Sequence, residues 1–329
     1  MKILITGANG FLGSWVTRSL AKQGHTIRVL HRPASDLQML EGIDFESAIG
    51  DVTDLDSVVA AAKDVDSVFH LAGVIGYSRA QRPLMEKVNV GGTIHVVQAC
   101  LKNSVRRLVH LSSVAAIGAS FDGQQVLNEE SQYNLSALNL GYFETKRLSE
   151  EFVRRAVKED NLDAVILNPA TIYGPGDALK GSRSTQVKVA RGEFPFYTSG
   201  GVNVISVNDA VIGIISAWQN GQRGERYILG GENLLIKDLF ALIAEAAGVP
   251  TPKIYLPNSL LHAIGWVGDR LEKLGRKGPV NSENAWTSTL FHWFDARKAR
   301  AALGLEPRPA KEAIYASVTW MRERGLLKS

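Results

Sequence analysis

The segment Thr6-Gly7-Ala8-Asn9-Gly10-Phe11-Leu12-Gly13 constrains this chain more than any other feature. It follows an apolar, strand-like run over 2–6 and precedes Leu12, Val16 and Leu20, which recur at helical spacing. Each glycine answers a separate need in such a turn. Gly7 lets the chain reverse sharply, Gly10 lets backbone approach a pyrophosphate, and Gly13 lets the helix pack closely on the strand. The helix N-terminus then offers unpaired N–H groups and the positive end of its dipole to phosphates. A glycine loop alone is weak grounds. Between a strand and a helix, with a βαβ unit following, it reads as a dinucleotide site made by Thr6, Gly7, Asn9, Gly10, Phe11, Leu12 and Gly13.

The rhythm set there continues. Runs over 26–30, 45–49, 67–72, 107–112 and 164–168 read as strands, and 55–62, 90–102 and 142–159 as helices. Strands that are apolar throughout are buried on both faces, which requires a parallel sheet covered by helices. Right-handed crossovers make it α/β, a doubly wound Rossmann-type sheet. After Pro169 the pattern changes. Residues 173–201, rich in Gly, Ser, Lys and Arg, read as irregular; 203–207 resumes a strand, Asn208 or Asp209 caps a helix through Trp218, and 226–229 is a last strand. From Leu235 onward the chain reads as mainly helical, broken at Pro250, Pro252, Pro257, Pro279, Pro307 and Pro309. The expected division is a nucleotide domain over 1–172, rejoined by 202–231. A smaller, mainly helical substrate region comprises 173–201 and 232–329.

Composition removes several classes. With 45% hydrophobic and 21% charged residues the chain is globular rather than disordered. The 37 Lys and Arg against 33 Asp and Glu are dispersed, so a nucleic-acid footprint is not expected. One cysteine, Cys100, excludes an intramolecular disulfide and sits in an apolar run as a buried small hydrophobe. No secretory pattern precedes the glycine turn and no apolar stretch is long enough to span a bilayer, so a cytoplasmic protein is expected. Residues 260–274 mix apolar and charged positions. Core or dimer packing is expected of them in preference to a membrane-surface role.

The end of the second strand distinguishes the dinucleotides. An acid there would bond a ribose 2′-hydroxyl and repel a 2′-phosphate. This chain reads Val29-Leu30-His31-Arg32-Pro33-Ala34-Ser35, where Arg32 can pair with the phosphate and Ser35 can donate to it. Asp36 falls beyond the proline and is discounted. NADP(H) is the expected cofactor, with NAD(H) as the alternative; the bland reading leaves Arg32 in solvent or stacked on adenine.

Tyr142 and Lys146 lie four residues apart, on one face of a helix. A cation about 5 Å from a phenol, at an effective dielectric of about 20, stabilises the phenolate by roughly 3 kcal/mol, lowering its pKa by about two. That tuning suits proton transfer to a carbonyl or from an alcohol. Tyr–Lys pairs at this spacing are usually mere solvent neighbours, but none of the other seven tyrosines has a Lys four residues later. The run Leu111-Ser112-Ser113-Val114-Ala115-Ala116-Ile117-Gly118 adds hydroxyls at a strand end that could polarise a substrate oxygen.

Taken together with Gly50-Asp51-Val52-Thr53-Asp54, His70-Leu71-Ala72-Gly73, Asn89-Val90-Gly91-Gly92-Thr93 and Asn168-Pro169-Ala170-Thr171-Ile172-Tyr173-Gly174-Pro175-Gly176, these motifs resemble the extended short-chain dehydrogenases/reductases. The resemblance covers essentially the whole chain and is nearest to dihydroflavonol 4-reductase-like proteins. It implies that Asp51 and Val52 contact adenine, that Leu71, Ala72 and Gly73 line the cofactor, and that Asn168, Pro169 and Ala170 pack by the nicotinamide. It selects Ser113 over Ser112 as the catalytic hydroxyl, assigns Lys146 to the nicotinamide ribose as well, makes Asn89 structural and implies a homodimer.

The leading function is therefore interconversion of a ketone or aldehyde with an alcohol on a small, rather apolar molecule, with Ile75, Tyr77, Phe196 and Tyr197 as pocket candidates. One alternative is an NAD-dependent nucleotide-sugar epimerase or dehydratase, with Lys180, Arg183, Lys188 and Arg191 gripping a diphosphate. Another is 3β-hydroxysteroid dehydrogenase-like alcohol oxidation; a third is a cofactor-binding sensor without chemistry. The seven histidines show no metal-ligand spacing, so no metal is expected, and His70 and His110 read as satisfied core residues.

Overall fold

In the computed structural model, which describes residues 1–179, 183–276, 278 and 280–327, the alternating runs form β1 (Lys2–Thr6), α1 (Phe11–Lys22), β2 (Thr26–His31), β3 (Glu46–Ile49), α2 (Leu55–Ala61), β4 (Ser67–His70), α3 (Arg82–Met85), α4 (Gly92–Lys102), β5 (Arg107–Leu111), α5 (Gly141–Glu159) and β6 (Ala164–Pro169). The chain continues through β7 (Thr171–Tyr173), α6 (Ser184–Ala190), β8 (Phe196–Tyr197), β9 (Gly201–Ser206), α7 (Val207–Asn220), β10 (Arg226–Leu229), β11 (Glu232–Leu235) and α8 (Ile236–Ala247). It ends with β12 (Ile254–Tyr255), α9 (Asn258–Lys273), α10 (Ser282–Thr289), β13 (Phe291–His292), α11 (Arg297–Leu303) and α12 (Ala310–Glu323).

Seven strands pair in the order β10-β6-β5-β4-β1-β2-β3, all parallel. Alternate residues of each strand enter opposite cores, which is why the strands read as apolar throughout. Ile3, Ile5, Val109 and Leu167 face the side covered by α1 and α7. Leu4, Leu108 and Ile166 face α2, α4 and α5. The strand order reverses between β1 and β4, opening a crevice at their carboxyl ends, where such sheets bind ligands.

Beyond β6 the sequence reading is less complete. Residues 173–201 are not wholly irregular: α6 and β8 form there, with Val189 and Ala190 buried among Leu239, Phe240 and Ile243 of α8. Seven residues are too few for helical periodicity to stand out. Ser206, not Asn208 or Asp209, caps α7 by accepting from the Asn208 N–H at 3.2 Å. Asp209 instead accepts from the Arg308 backbone (2.9 Å) and guanidinium (3.0 Å). Within the C-terminal stretch, Phe294, Ala299, Leu303 and Leu305 join the large core beside α7, whereas Ala313, Ile314 and Val318 of α12 join α8. Among the described residues no helix is long and apolar enough to cross a membrane.

Candidate active site

Gly7 has φ +72°, and a Cβ there would lie 2.6 Å from the Ala72 nitrogen. A Cβ on Gly13 would lie 2.0 Å from the Gly7 carbonyl oxygen. Both contacts are with backbone, so the close packing of β1, α1 and the β4 loop demands glycine at both positions. Gly10 stands at the N-cap of α1 and no side chain caps the helix, leaving its amino end for a ligand or solvent. Leu71 and Ala72 are tied to Thr6: the Leu71 N–H donates to its carbonyl (3.1 Å) and the Ala72 N–H to its Oγ1 (3.3 Å).

Asn9 reaches across to the second strand, its Nδ2 donating to the Asp36 carbonyl at 3.0 Å. That contact draws the 32–36 loop alongside the glycine turn. Arg32 is exposed, and among the described residues it has no ion pair. Ser35 is half-buried and its N–H donates to the Arg32 carbonyl (3.0 Å). The Asp36 carboxylate takes the Gln38 N–H (2.9 Å), so it folds onto its own loop. Asp51 likewise takes the Thr53 N–H (2.8 Å), and Val52 is buried under Gly92 at the start of α4. These cradles, an open helix end and an exposed cation at the second strand end suit an anionic dinucleotide.

Ser113, Tyr142 and Lys146 converge beyond the carboxyl end of β5. Ser113 sits beside the Tyr142 phenol, while its Oγ accepts from the Ala115 N–H at 3.2 Å, and Tyr77 packs edge-on to the Tyr142 ring at 6.4 Å, so one pocket candidate joins the site. Lys146 is buried and its Nζ donates to the Leu111 carbonyl at 2.9 Å. The electrostatics differ from the expectation. Burial pushes the phenol up, only partly opposed by Ser113, and neighbouring Tyr77 adds to the rise; Lys146 is not among the causes. Burial also brings the Lys146 ammonium down to about 8, against the charge of Glu150, which raises it. Desolvation is the largest influence on both groups, raising the phenol and lowering the ammonium.

Glu150 was missed in sequence. It continues the ladder Tyr142, Lys146, Glu150 at four-residue steps, a signal that could have found it. It is 3% exposed. Its carboxylate accepts from Ser112 Oγ (2.8 Å), Asn168 Nδ2 (2.8 Å) and the Arg226 guanidinium (3.1 Å). Asn168 Nδ2 also donates to the Ser113 carbonyl (2.9 Å), linking Glu150 to the hydroxyl-bearing loop, while Asn168 Oδ1 is buried without a partner among the described residues. Asn89 lies in a π-helical turn over Glu86–Gly91 and clamps the loop after β4. Its Oδ1 accepts from the Val74 N–H (2.8 Å) and its Nδ2 donates to the Val74 carbonyl (2.9 Å). Glu283 of α10 accepts from the Gly141 N–H (3.3 Å), holding the C-terminal region against the helix that carries Tyr142. That contact spans 142 positions and has no local signature.

Other candidates separate. Phe196 and Tyr197 pack with Phe194 and Tyr255 rather than with Tyr142. Arg183 is buried over the Tyr173 ring (4.1 Å), Arg191 donates to the Leu326 carbonyl (2.8 Å), Lys188 is exposed, and Lys180 lies outside the described residues. Of the core histidines, His70 is satisfied by Thr6 (2.8 Å) and Thr93 (3.1 Å). His110 is not: among the described residues both its buried ring nitrogens are without a partner, and burial holds it neutral. Among the described residues no group of three or more potential metal ligands is assembled.

A family model described as the NAD dependent epimerase/dehydratase family matches residues 3–230. A Synechocystis protein provisionally named dihydroflavonol 4-reductase is 32% identical, covering 99% of this chain and 96% of its own. Sterol demethylase protein B of Methylococcus capsulatus is also 32% identical, over 99% of this chain and 100% of its own. Among solved structures, gox2253 superposes with a TM-score of 0.88 at 35% identity, covering 99% of both chains. PA4631, named a nucleoside-diphosphate-sugar epimerase from Pseudomonas aeruginosa, gives 0.81 at 26% identity, covering 100% of this chain and 99% of its own.

Proposed function

Because the chain belongs to the NAD-dependent epimerase/dehydratase family, the extended short-chain dehydrogenases/reductases, and so is an NAD(P)-dependent enzyme acting on CH–OH or C=O groups, we propose that it is an NADP(H)-dependent reductase of an apolar ketone or aldehyde. The convergence of Ser113, Tyr142 and Lys146 beside the glycine-turn crevice carries this reading. In the same reading residues 1–172 and 202–231 hold the dinucleotide, and 173–201 and 232–329 hold the substrate.

A bound nicotinamide supplies the hydride. Ser113 Oγ donates to the carbonyl oxygen of the substrate, and Tyr142 Oη gives that oxygen its proton. Burial holds the phenol protonated, the form a proton donor needs, but also makes it a weaker acid, so its proton transfer leans on stabilisation of the phenolate. The buried Lys146 ammonium stabilises the phenolate that forms, and Asn168, set by Glu150, fixes the Ser113 loop. The sugar-nucleotide alternative has support in the name of the Pseudomonas structure. Against it, among the described residues Arg183 and Arg191 are committed to Tyr173 and the Leu326 carbonyl. A panel of ketones and aldehydes assayed with both cofactors tests the proposal; turnover with NADPH supports it, and turnover with NADH alone overturns the cofactor choice.

Arg32→Ala is expected to raise the Kd for NADP(H) about 10–100-fold, from the loss of charge-assisted bonds worth roughly 1.5–3 kcal/mol. Titration with NAD(H) should show little change. In Glu150→Gln the Lys146 ammonium loses the negative charge that keeps it protonated. The alkaline limb of kcat/KM against pH is then expected at lower pH than in the wild type. Stability should fall by about 3 kcal/mol as Arg226 loses its buried partner. A destabilised variant with an unmoved profile would reduce Glu150 to packing.

A further inference from the structure

Helix α9 presents its faces in an unusual sense. Only Leu261, Gly265 and Gly268 are buried. The glycines let the backbone lie directly on the following segment: a Cβ at Gly268 would stand 1.8 Å from the Val280 carbonyl oxygen, and one at Gly265 3.1 Å from Ala285 Cβ. The larger apolar residues are turned outward. Leu260, Val267 and Leu274, at seven-residue steps along one stripe, are 49%, 48% and 74% exposed, with Trp266 beside them at 57%. Just before the helix, Ile254 and Tyr255 are also exposed.

Charge is sorted with the same sense. Asp269 faces inward, where it accepts from the Ser282 N–H (3.0 Å), and Glu272 is half-buried. Arg270 lies outward over the Trp266 ring (4.7 Å), and Lys273 and Arg276 are exposed. Among the described residues the outward face of α9 is thus an apolar stripe with a tryptophan at its flank and the cations Arg270, Lys273 and Arg276 beside it, which complements an anionic lipid surface.

We propose that α9 docks this protein on an anionic bilayer, lying in the headgroup region parallel to the membrane. Helix α10 packs against α9, with His262 and Trp286 rings 4.2 Å apart, and Trp286 belongs to the cluster containing Tyr142. The docked face is therefore one helix away from the catalytic candidates.

The test is co-sedimentation of the full chain with vesicles of phosphatidylcholine containing about one-third phosphatidylglycerol, the anionic lipid. Wild type is expected to bind these vesicles, less in high salt, and to bind phosphatidylcholine alone weakly. Val267→Glu with Leu274→Glu should weaken binding about tenfold or more, as a hydrophobic stripe acquires charge, while melting temperature and dinucleotide affinity stay unchanged. Absence of binding to the anionic vesicles would overturn the proposal. So would binding that the double variant leaves intact, or a concentration-dependent dimer that it dissolves. The readout needs no turnover, so its failure leaves the proposed reaction standing.

Discussion

Tyr142→Phe is expected to lower kcat by about 10²–10⁴-fold, the usual contribution of a positioned acid–base group. Dinucleotide affinity should be retained. The ring keeps its packing against Phe143 (6.1 Å) and Tyr77 (6.4 Å), so the fold around it has no reason to move. What disappears is one oxygen, beside Ser113. Loss of one polar contact costs about 1 kcal/mol of stability at most, far less than the expected loss in rate. Steady-state kinetics, dinucleotide titration and thermal melting together separate the two effects. Equal losses in all three would mean that the phenol is structural.

Gly13→Ala should act at the opposite end of the site, with the reverse signature. Its Cβ would fall 2.0 Å from Gly7 O, 2.8 Å from Gly7 C and 2.9 Å from Ala8 Cα, all backbone atoms. No side chain can swing aside, so α1 must move off β1. Overpacking of this kind costs about 1–3 kcal/mol, and the displaced helix end no longer meets the phosphates. A rise in dinucleotide Kd of about 100-fold or more is expected, equivalent to about 3 kcal/mol, with a lowered melting temperature. Binding within a few-fold of wild type would show that the pyrophosphate does not sit on this turn.

The nucleotide half was legible because its signals are local. A strand apolar on both faces, a three-glycine turn and a periodic helix each report on adjacent residues, and the seven-stranded sheet follows from repeating them. The C-terminal half is held by distant contacts, such as Glu283 to Gly141 and Asp209 to Arg308, which no window of sequence displays. The site was read in part for the same reason. Spacing brings Tyr142 and Lys146 onto one helical face but says nothing of desolvation. In the folded protein burial is the largest influence on both groups, moving the phenol up and the ammonium down. His110 shows the limit of burial patterns: strand alternation places it inside, but cannot supply its nitrogens with partners. In α9 periodicity finds an apolar stripe without saying which way it faces, and the structure turns Leu260, Val267 and Leu274 outward rather than into the core.

The central claim is that Tyr142 protonates a carbonyl while hydride arrives from a reduced nicotinamide. Its most direct test is the fate of deuterium placed on both positions of the reacting ring carbon of NADPH, with a ketone from the panel as substrate. The account predicts an alcohol carrying one deuterium on its carbinol carbon, one oxidised cofactor released for each, and almost no labelled product from Tyr142→Phe. An unlabelled alcohol, or a substrate transformed while the cofactor stays bound and unconsumed, would contradict it.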